Sequence, residues 1–208
     1  MHNQILNLIM AQTTAHTFKN KKQICSDVTR SGQCFYIEAG AALLRRSVSF
    51  SDGRHRFVAE LKTQGDLIGA ELCFGGRILE DVELVALGAV KVGVVDRDRF
   101  TALYRDASAM LQAEIATQLM KQAADERERL FRLRVGKTES GTDKQVLALL
   151  GVCAGVIGVD VPLGRLIPLR VVDIAALVDL APETCRRALW RLEEADVIGR
   201  HRRGWLLP

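Results

Sequence analysis

Residues 171–192, VVDIAALVDLAPETCRRALWRL, read as two short helices meeting across a tight turn. The first would run from about Val171 to Val178, with Ile174, Ala175 and Val178 turned inward and the small Ala175 where the helices cross closest. Asp179 stands at the corner, a place usually held by Gly, and Asp is among the few other residues that tolerate a left-handed backbone. Pro182 falls at the first helical position of the second helix, where its missing N–H costs nothing, and Glu183 follows in the electropositive first turn. Ala181, just before it, is a poor N-cap. Along the second helix Cys185, Ala188, Leu189 and Leu192 form an inward stripe, leaving Glu183, Arg186, Arg187, Trp190 and Arg191 on other faces.

Four residues apart, Glu183 and Arg187 project together. An α-helix fits the major groove of DNA, where Arg bonds bidentately to guanine and a carboxylate accepts from cytosine. The plainer reading is a solvated i,i+4 ion pair, worth only about 0.2 to 0.5 kcal/mol. The surroundings favour DNA. Arg186, Arg187 and Arg191 crowd one short helix, and IGRHRRGWLL follows, with Arg200, His201, Arg202 and Arg203 in a row before Gly204. Such a basic hairpin suits a wing laid along phosphates.

The chain has 208 residues, 48% of them hydrophobic, enough for one large or two small domains with a real core. A net charge of +4 is modest, so basic character matters only where it is local, as at the C-terminal arginines. The cysteines Cys25, Cys34, Cys73, Cys153 and Cys185 are odd in number and show no C-x-x-C spacing, which points to a reducing, cytoplasmic setting and to no metal site. No apolar stretch approaches the roughly 20 residues of a membrane span, and ILNLIMA near the N-terminus lacks a basic lead-in. Neither export nor anchoring is expected.

From about Phe18 to Asp96 the texture is strand-like. FYIEAGAALLRR suits one or two strands, and Asp52-Gly53 between VSF and HRFVAEL suits a two-residue hairpin, putting His55, Phe57, Ala59 and Leu61 on one face. LIGAELCFGG and VELVALGAVKVGVVD continue the pattern, punctuated by Gly. Closely spaced strands of this kind make a small barrel or sandwich.

At Arg97 the texture turns helical. DASAMLQAEIATQLMKQAADERERLFRL, residues 106–133, carries Leu111, Ile115, Leu119 and Ala123 on one stripe and then Leu130 and Leu133. The stripe could simply cover the β-domain, but at about 42 Å such a helix exceeds a small barrel, so a dimer seam along Leu111, Ile115, Leu119 and Ala123 is expected. Residues 135–143, VGKTESGTD, are polar with two glycines and read as a linker. A phosphate loop at Gly136-Lys137-Thr138 is excluded, because the upstream Gly it needs is Phe131. A helix from Lys144 to Cys153 and two short strands joined at Pro162-Leu163-Gly164 lead into the helix-turn-helix.

This order of parts resembles the Crp/Fnr family of bacterial transcription regulators over nearly the whole chain. GDLIGAE, residues 65–71, looks like the family's G-D-x-x-G-E turn, and PETCRRALWRLEEADVI looks like its recognition helix, with the E-T-x-x-R core at Glu183, Thr184 and Arg187. The resemblance implies an α+β fold: a cyclic-nucleotide-binding-like β-barrel or jelly-roll sensor domain over residues 1–105, a long dimerisation helix over 106–135, and a winged helix-turn-helix over 136–208. It implies a cytoplasmic homodimer on palindromic double-stranded DNA, working with RNA polymerase, and no catalysis. Glu183 and Arg187 match the family's base readers, and Pro182, Thr184, Arg186, Arg191, Arg202 and Arg203 complete the DNA-facing set. Pro182 departs from the Arg of the cyclic-AMP-responsive branch, and Arg186 from the small residue that usually precedes the Arg, so a different half-site is expected.

The sensing end departs further. Gly69, Glu71, Cys73 and Arg77 are the effector-facing candidates, but Ala70 splits the G-E pair. Where cyclic-nucleotide-binding relatives place a phosphate-binding Arg, this chain has Asp81, flanked by Glu80 and Glu83. Carboxylates repel a phosphate, so the effector is expected not to be cyclic AMP. The cysteine cluster of the iron–sulfur branch is missing. Haem-binding relatives use a Cys or His on the barrel; Cys34, His55 and Cys73 qualify by position, against a plainer packing role for each. Cys185 offers a redox switch on the recognition helix, against a place in the apolar stripe. Two rivals stand beside a signal-sensing regulator: a constitutive regulator with a vestigial β-domain, and a cupin-like enzyme, for which His2, His16, His55 and His201 are too scattered.

Overall fold

A computed structural model describes residues 13–49, 55–74, 81–139 and 141–208, with the backbone alone at 55, 56, 126 and 129–139. The Asp52-Gly53 turn, His2, Arg77 and Glu80 lie outside the described residues. The chain divides into two compact units. One combines the chain up to Leu44 with Lys62–Arg127, the other Arg45–Leu61 with Glu128–Pro208.

The strands before the first helix are β1 (Thr14–Phe18), β2 (Gln23–Cys25), β3 (Gln33–Ser49), β4 (His55–Thr63), β5 (Leu67–Ile68) and β6 (Val82–Asp96). They form one sheet in the order β1-β6-β3-β4, with β2 also on β6 and β5 on β3. Among the described residues that path is open, so the β-domain is a rolled, jelly-roll-like sheet rather than a closed barrel. VELVALGAVKVGVVD is β6 in full, and it serves two partners: Leu84 and Val85 lie opposite β2, and Val90 to Val94 opposite β1. Gly88 marks the change of partner at φ +79, its N–H held by the Asn20 side chain at 2.9 Å. FYIEAGAALLRR is a single strand within β3, bent at Gly40, where a Cβ would meet the Ala89 carbonyl oxygen at 2.3 Å. Among the described residues of LIGAELCFGG only Leu67–Ile68 is strand: after β5 the chain turns through Gly69 at φ +87 into a 3-10 turn, Ala70–Phe74.

β3 is buried on both faces at residues 34–37. Phe35 and Ile37 join Ile68, Leu84, Val90 and Val92 in the sheet's own core. Cys34 and Tyr36 face the other way, into a cluster with Leu67, Ala70, Val95, Phe100 and Ile115. Helices α1 (Arg97–Asp106) and α2 (Ala109–Glu139) supply Phe100 and Ile115. The expected helix over 106–133 is α2, and α1 is a separate helix before it, where the texture turned helical at Arg97. Asp96 caps α1 through the backbone N–H of Asp98 and Arg99, and the chain breaks at Ala107–Ser108 before α2.

The expected linker at 135–143 is largely helix. α2 continues through Gly136 to Glu139, and α3 (Gly141–Ile157) begins two residues later, with Gly141 at φ +80. One interior Gly costs a helix about 1 kcal/mol, too little to end it, whereas a left-handed Gly does end one. The remainder is β7 (Val159–Val161), β8 (Gly164–Ile167), α4 (Val171–Leu177), α5 (Pro182–Glu194), β9 (Gly199–His201) and β10 (Gly204–Leu207), with an antiparallel sheet in the order β7-β8-β10-β9. Val146, Leu150, Cys153, Ile167, Ile174 and Leu189 are fully buried in this unit.

Candidate nucleic-acid interface

α4, α5 and the β9–β10 hairpin make a winged helix-turn-helix. On α4 Ile174 and Ala175 are buried, and Val178, just past its end, is buried too. The corner falls on Asp179 at φ +54, the left-handed backbone that Asp tolerates better than most residues. Two contacts brace α4. Arg170 forks onto the buried Asp173 (Nε–Oδ2 2.8 Å, Nη2–Oδ1 3.0 Å), while Asp173 accepts the Arg170 backbone N–H. Buried Gln145 of α3 donates to the Val178 carbonyl at 2.9 Å, satisfying an acceptor left over at the helix end.

α5 begins at Pro182 with no side-chain cap on its first turn. Cys185, Ala188 and Leu189 have no exposure, and Leu192 little, so the inward stripe faces α3 and α4. The opposite surface presents Pro182, Glu183, Arg186, Arg187, Trp190 and Arg191 to solvent, with Thr184 half-buried. The plainer i,i+4 ion pair does not form: Glu183 bonds Arg186, one turn on, rather than Arg187. Arg187 has no ion-pair partner among the described residues. Arg191 is also engaged, forking onto Asp143 in the first turn of α3 (Nη2–Oδ1 2.6 Å, Nε–Oδ2 2.8 Å). Those bonds hold the Asp143 carboxyl below its ordinary range and raise the Arg191 guanidinium above its own. Sequence spacing could not reveal this tie, since its partners lie 48 residues apart.

Arg202 and Arg203 form the exposed tip of the β9–β10 hairpin, with the Arg203 N–H donating to His201 Nδ1 at 3.2 Å. Beside the tip, opposite His201, a Cβ on Gly204 would meet the Ile167 carbonyl oxygen at 2.0 Å, so only Gly allows β10 this close to β8. Cys185 is fully buried, and burial pushes its thiol up to about 12. It fills the apolar slot between α5 and the helices behind it, the packing role set against a redox one.

In the first unit Gly69 is buried and its backbone approaches the Gln33 carbonyl; Glu71 and Cys73 are half-buried in the 3-10 turn, and Arg77 lies outside the described residues. Asp81 is exposed at φ +60, and Glu83 accepts from Gln23 at 3.1 Å. Three of the four expected seam residues are otherwise employed. Ile115 is buried against the chain's own β-domain with Leu111 and Leu119 packed beside it, and only Ala123 is exposed. The stripe reads as a seam in sequence because a covering face and a pairing face share one periodicity. Cys34 does not suit haem: it is fully buried in a side-chain cluster with its sulfur against that of Cys73, whereas an axial ligand must face an open macrocycle plane. No group of three or more potential metal ligands occurs among the described residues, and no helix there is long and apolar enough to cross a membrane.

No protein-family model matches the sequence, and no curated protein matches it. Solved structures do. The c-di-GMP-responsive global regulator CLP of Xanthomonas campestris is similar with a TM-score of 0.73 at 15% identity, over 98% of this chain and 97% of that one. A CRP-family transcriptional regulator from Thermus thermophilus follows at 0.70 and 16%, over 92% and 91%. FixK2 of Bradyrhizobium japonicum gives 0.63 and 17%, over 94% and 92%. This chain has the fold of the CRP/FNR transcriptional regulators.

Proposed function

We propose that the chain is a sequence-specific, DNA-binding transcription regulator of the Crp/Fnr type, not an enzyme, acting as a homodimer on a palindromic site together with RNA polymerase. The observation that carries this reading is the exposed surface of α5, where Glu183, Arg186, Arg187 and Arg191 stand over a buried stripe, continued by Arg202 and Arg203 on the wing. Arg187, unpaired among the described residues, is the base reader, and Glu183 reads beside it once DNA displaces Arg186. The division of labour we infer is a sensor over residues 1–105, a dimerisation helix over 106–135 and a DNA-binding domain over 136–208.

The dimer seam lies on the exposed side of α2. Met110, Ala113, Thr117, Met120 and Ala124 are all exposed and recur at alternating steps of three and four, the spacing of a two-helix seam. A cytoplasmic setting agrees with the five free cysteines. The β-domain answers a signal other than cyclic AMP, because carboxylates occupy the place of a phosphate-binding Arg. CLP responds to a cyclic dinucleotide, and the same carboxylates disfavour that phosphate ligand here. The alternative is a constitutive regulator whose β-domain is vestigial.

The test is selection of binding sites from random duplex DNA with the purified full chain, followed by affinity against salt. Enrichment of an inverted repeat, bound by a dimer, is expected. Recovery of no sequence preference would sink the reading. An affinity that no candidate effector or oxidant changes would favour the constitutive alternative.

A further inference from the structure

We propose that Cys34 and Cys73 are a redox couple, closed by a peroxide into a reversible disulfide within one chain. Their sulfurs are 3.9 Å apart although 39 residues separate them in sequence. Cys34 is fully buried on β3, and Cys73 is half-buried in the turn Ala70–Phe74 with its sulfur 3.8 Å from the Arg97 carbonyl oxygen. The other three thiols are placed elsewhere: Cys25 packs against the sheet's own core, and Cys153 and Cys185 are buried in the second unit.

The two positions divide the chemistry. Cys73 is the one an oxidant reaches. Burial, reinforced by Cys73 itself, raises the Cys34 thiol well above its ordinary value, so Cys34 keeps its proton until it reacts. The Cys73 sulfur attacks one oxygen of hydrogen peroxide, the O–O bond breaks, and a sulfenic acid and one water form. The Cys34 sulfur then attacks the sulfenic sulfur; the S–O bond breaks, and hydroxide leaves with the Cys34 proton as a second water. Each sulfur is oxidised by one electron, and the peroxide is reduced to two waters. A dithiol reductant reverses the bond.

A disulfide needs the sulfurs at about 2.0 Å, so Cys73 must be drawn toward β3. That movement reaches α2 by two routes. Phe74, next to Cys73, stacks edge-on to Tyr104 at 4.7 Å, and the Tyr104 carbonyl accepts from Gln112 of α2 at 2.9 Å. Leu67, just before the turn, holds Gln122 of α2 through both backbone groups, at 2.9 and 3.1 Å. Control of DNA affinity by this couple rests on the proposed regulator function; the disulfide itself does not.

The experiment oxidises the reduced full chain with near-stoichiometric hydrogen peroxide, counts free thiols in denaturant and maps non-reduced peptides. Loss of two of the five thiols, a Cys34–Cys73 linked peptide, and full recovery with dithiothreitol are expected. The half-buried C73S variant should form no linkage, and C25S/C153S/C185S should behave like the parent. A linkage to another cysteine or between chains would overturn the proposal. So would Cys73 advancing to sulfinic acid beside reduced Cys34, or no reaction. DNA affinity is read on the same samples. A change abolished in C73S supports the regulatory step, and an unchanged affinity despite linkage overturns that step alone. Absence of DNA binding in both states overturns the regulator reading and leaves the disulfide standing.

Discussion

Arg191 of α5 and Asp143 at the start of α3 form a two-point ion pair, 2.6 and 2.8 Å, which ties α5 to the helix behind it. Arg191 is thus a scaffold contact in the free protein, and in the proposed DNA complex it is a phosphate contact only if the tie is exchanged. Asp143→Asn should release it and steepen the dependence of log affinity on log salt by about one unit. Fluorescence anisotropy across a salt series decides; an unchanged slope means Arg191 never leaves Asp143.

The same pair has a pH signature. The Asp143 carboxyl is lowered in the fold from its ordinary 3.8, so its contribution is fully present above that pH and fades as pH falls through the lowered value. Parent and Asp143→Asn should therefore differ in melting temperature at neutral pH and converge only once the pH has fallen through the lowered value. A difference that grows in acid would contradict the assignment.

Arg187→Ala should cost about 1 to 3 kcal/mol on the selected site and relax discrimination at one base pair, whereas Arg202→Ala should weaken all sequences about equally. Competition binding against single-base variants separates the two. Uniform loss for both would move base reading elsewhere on α5.

Two faces of α2 should answer differently. Ile115→Ala removes a buried side chain and should lower the stability of the β-unit by about 2 to 5 kcal/mol in urea. Met120→Lys should leave folding intact and dissociate the proposed dimer, read by sedimentation. Dissociation by neither variant would place the seam elsewhere.

Gln145→Leu should destabilise the second unit by about 1 to 3 kcal/mol, because it strands the buried Val178 carbonyl. Gly204→Ala should loosen the wing, since its new methyl would overlap the Ile167 carbonyl. Circular dichroism melts check both, and a neutral Gly204→Ala would mean that β10 can shift without cost.

The helix-turn-helix was legible residue by residue. Its inward stripe, the left-handed Asp179 and Pro182 at the helix start all rest on local periodicity and backbone preference, which a chain carries without its tertiary contacts. β6 was legible for the same reason. Periodicity gives an apolar face but not the object it meets, and this limited the reading of α2. Leu111, Ile115 and Leu119 satisfy a seam and a cover equally well, and only packing assigns them to the chain's own core. Polar composition likewise misread residues 135–143, because solvated helix and linker share it.

Composition and pattern by themselves determined a β-rich first part, a long helix and a winged helix-turn-helix with a basic outer surface, since each follows from short-range periodicity and turn chemistry. Tertiary structure alone decided which arginine pairs with which carboxylate, which side of α2 stays free, and that Cys34 and Cys73 meet. Those contacts join residues 39 and 48 positions apart, or faces of equal pattern, and only the path of the folded backbone brings them together.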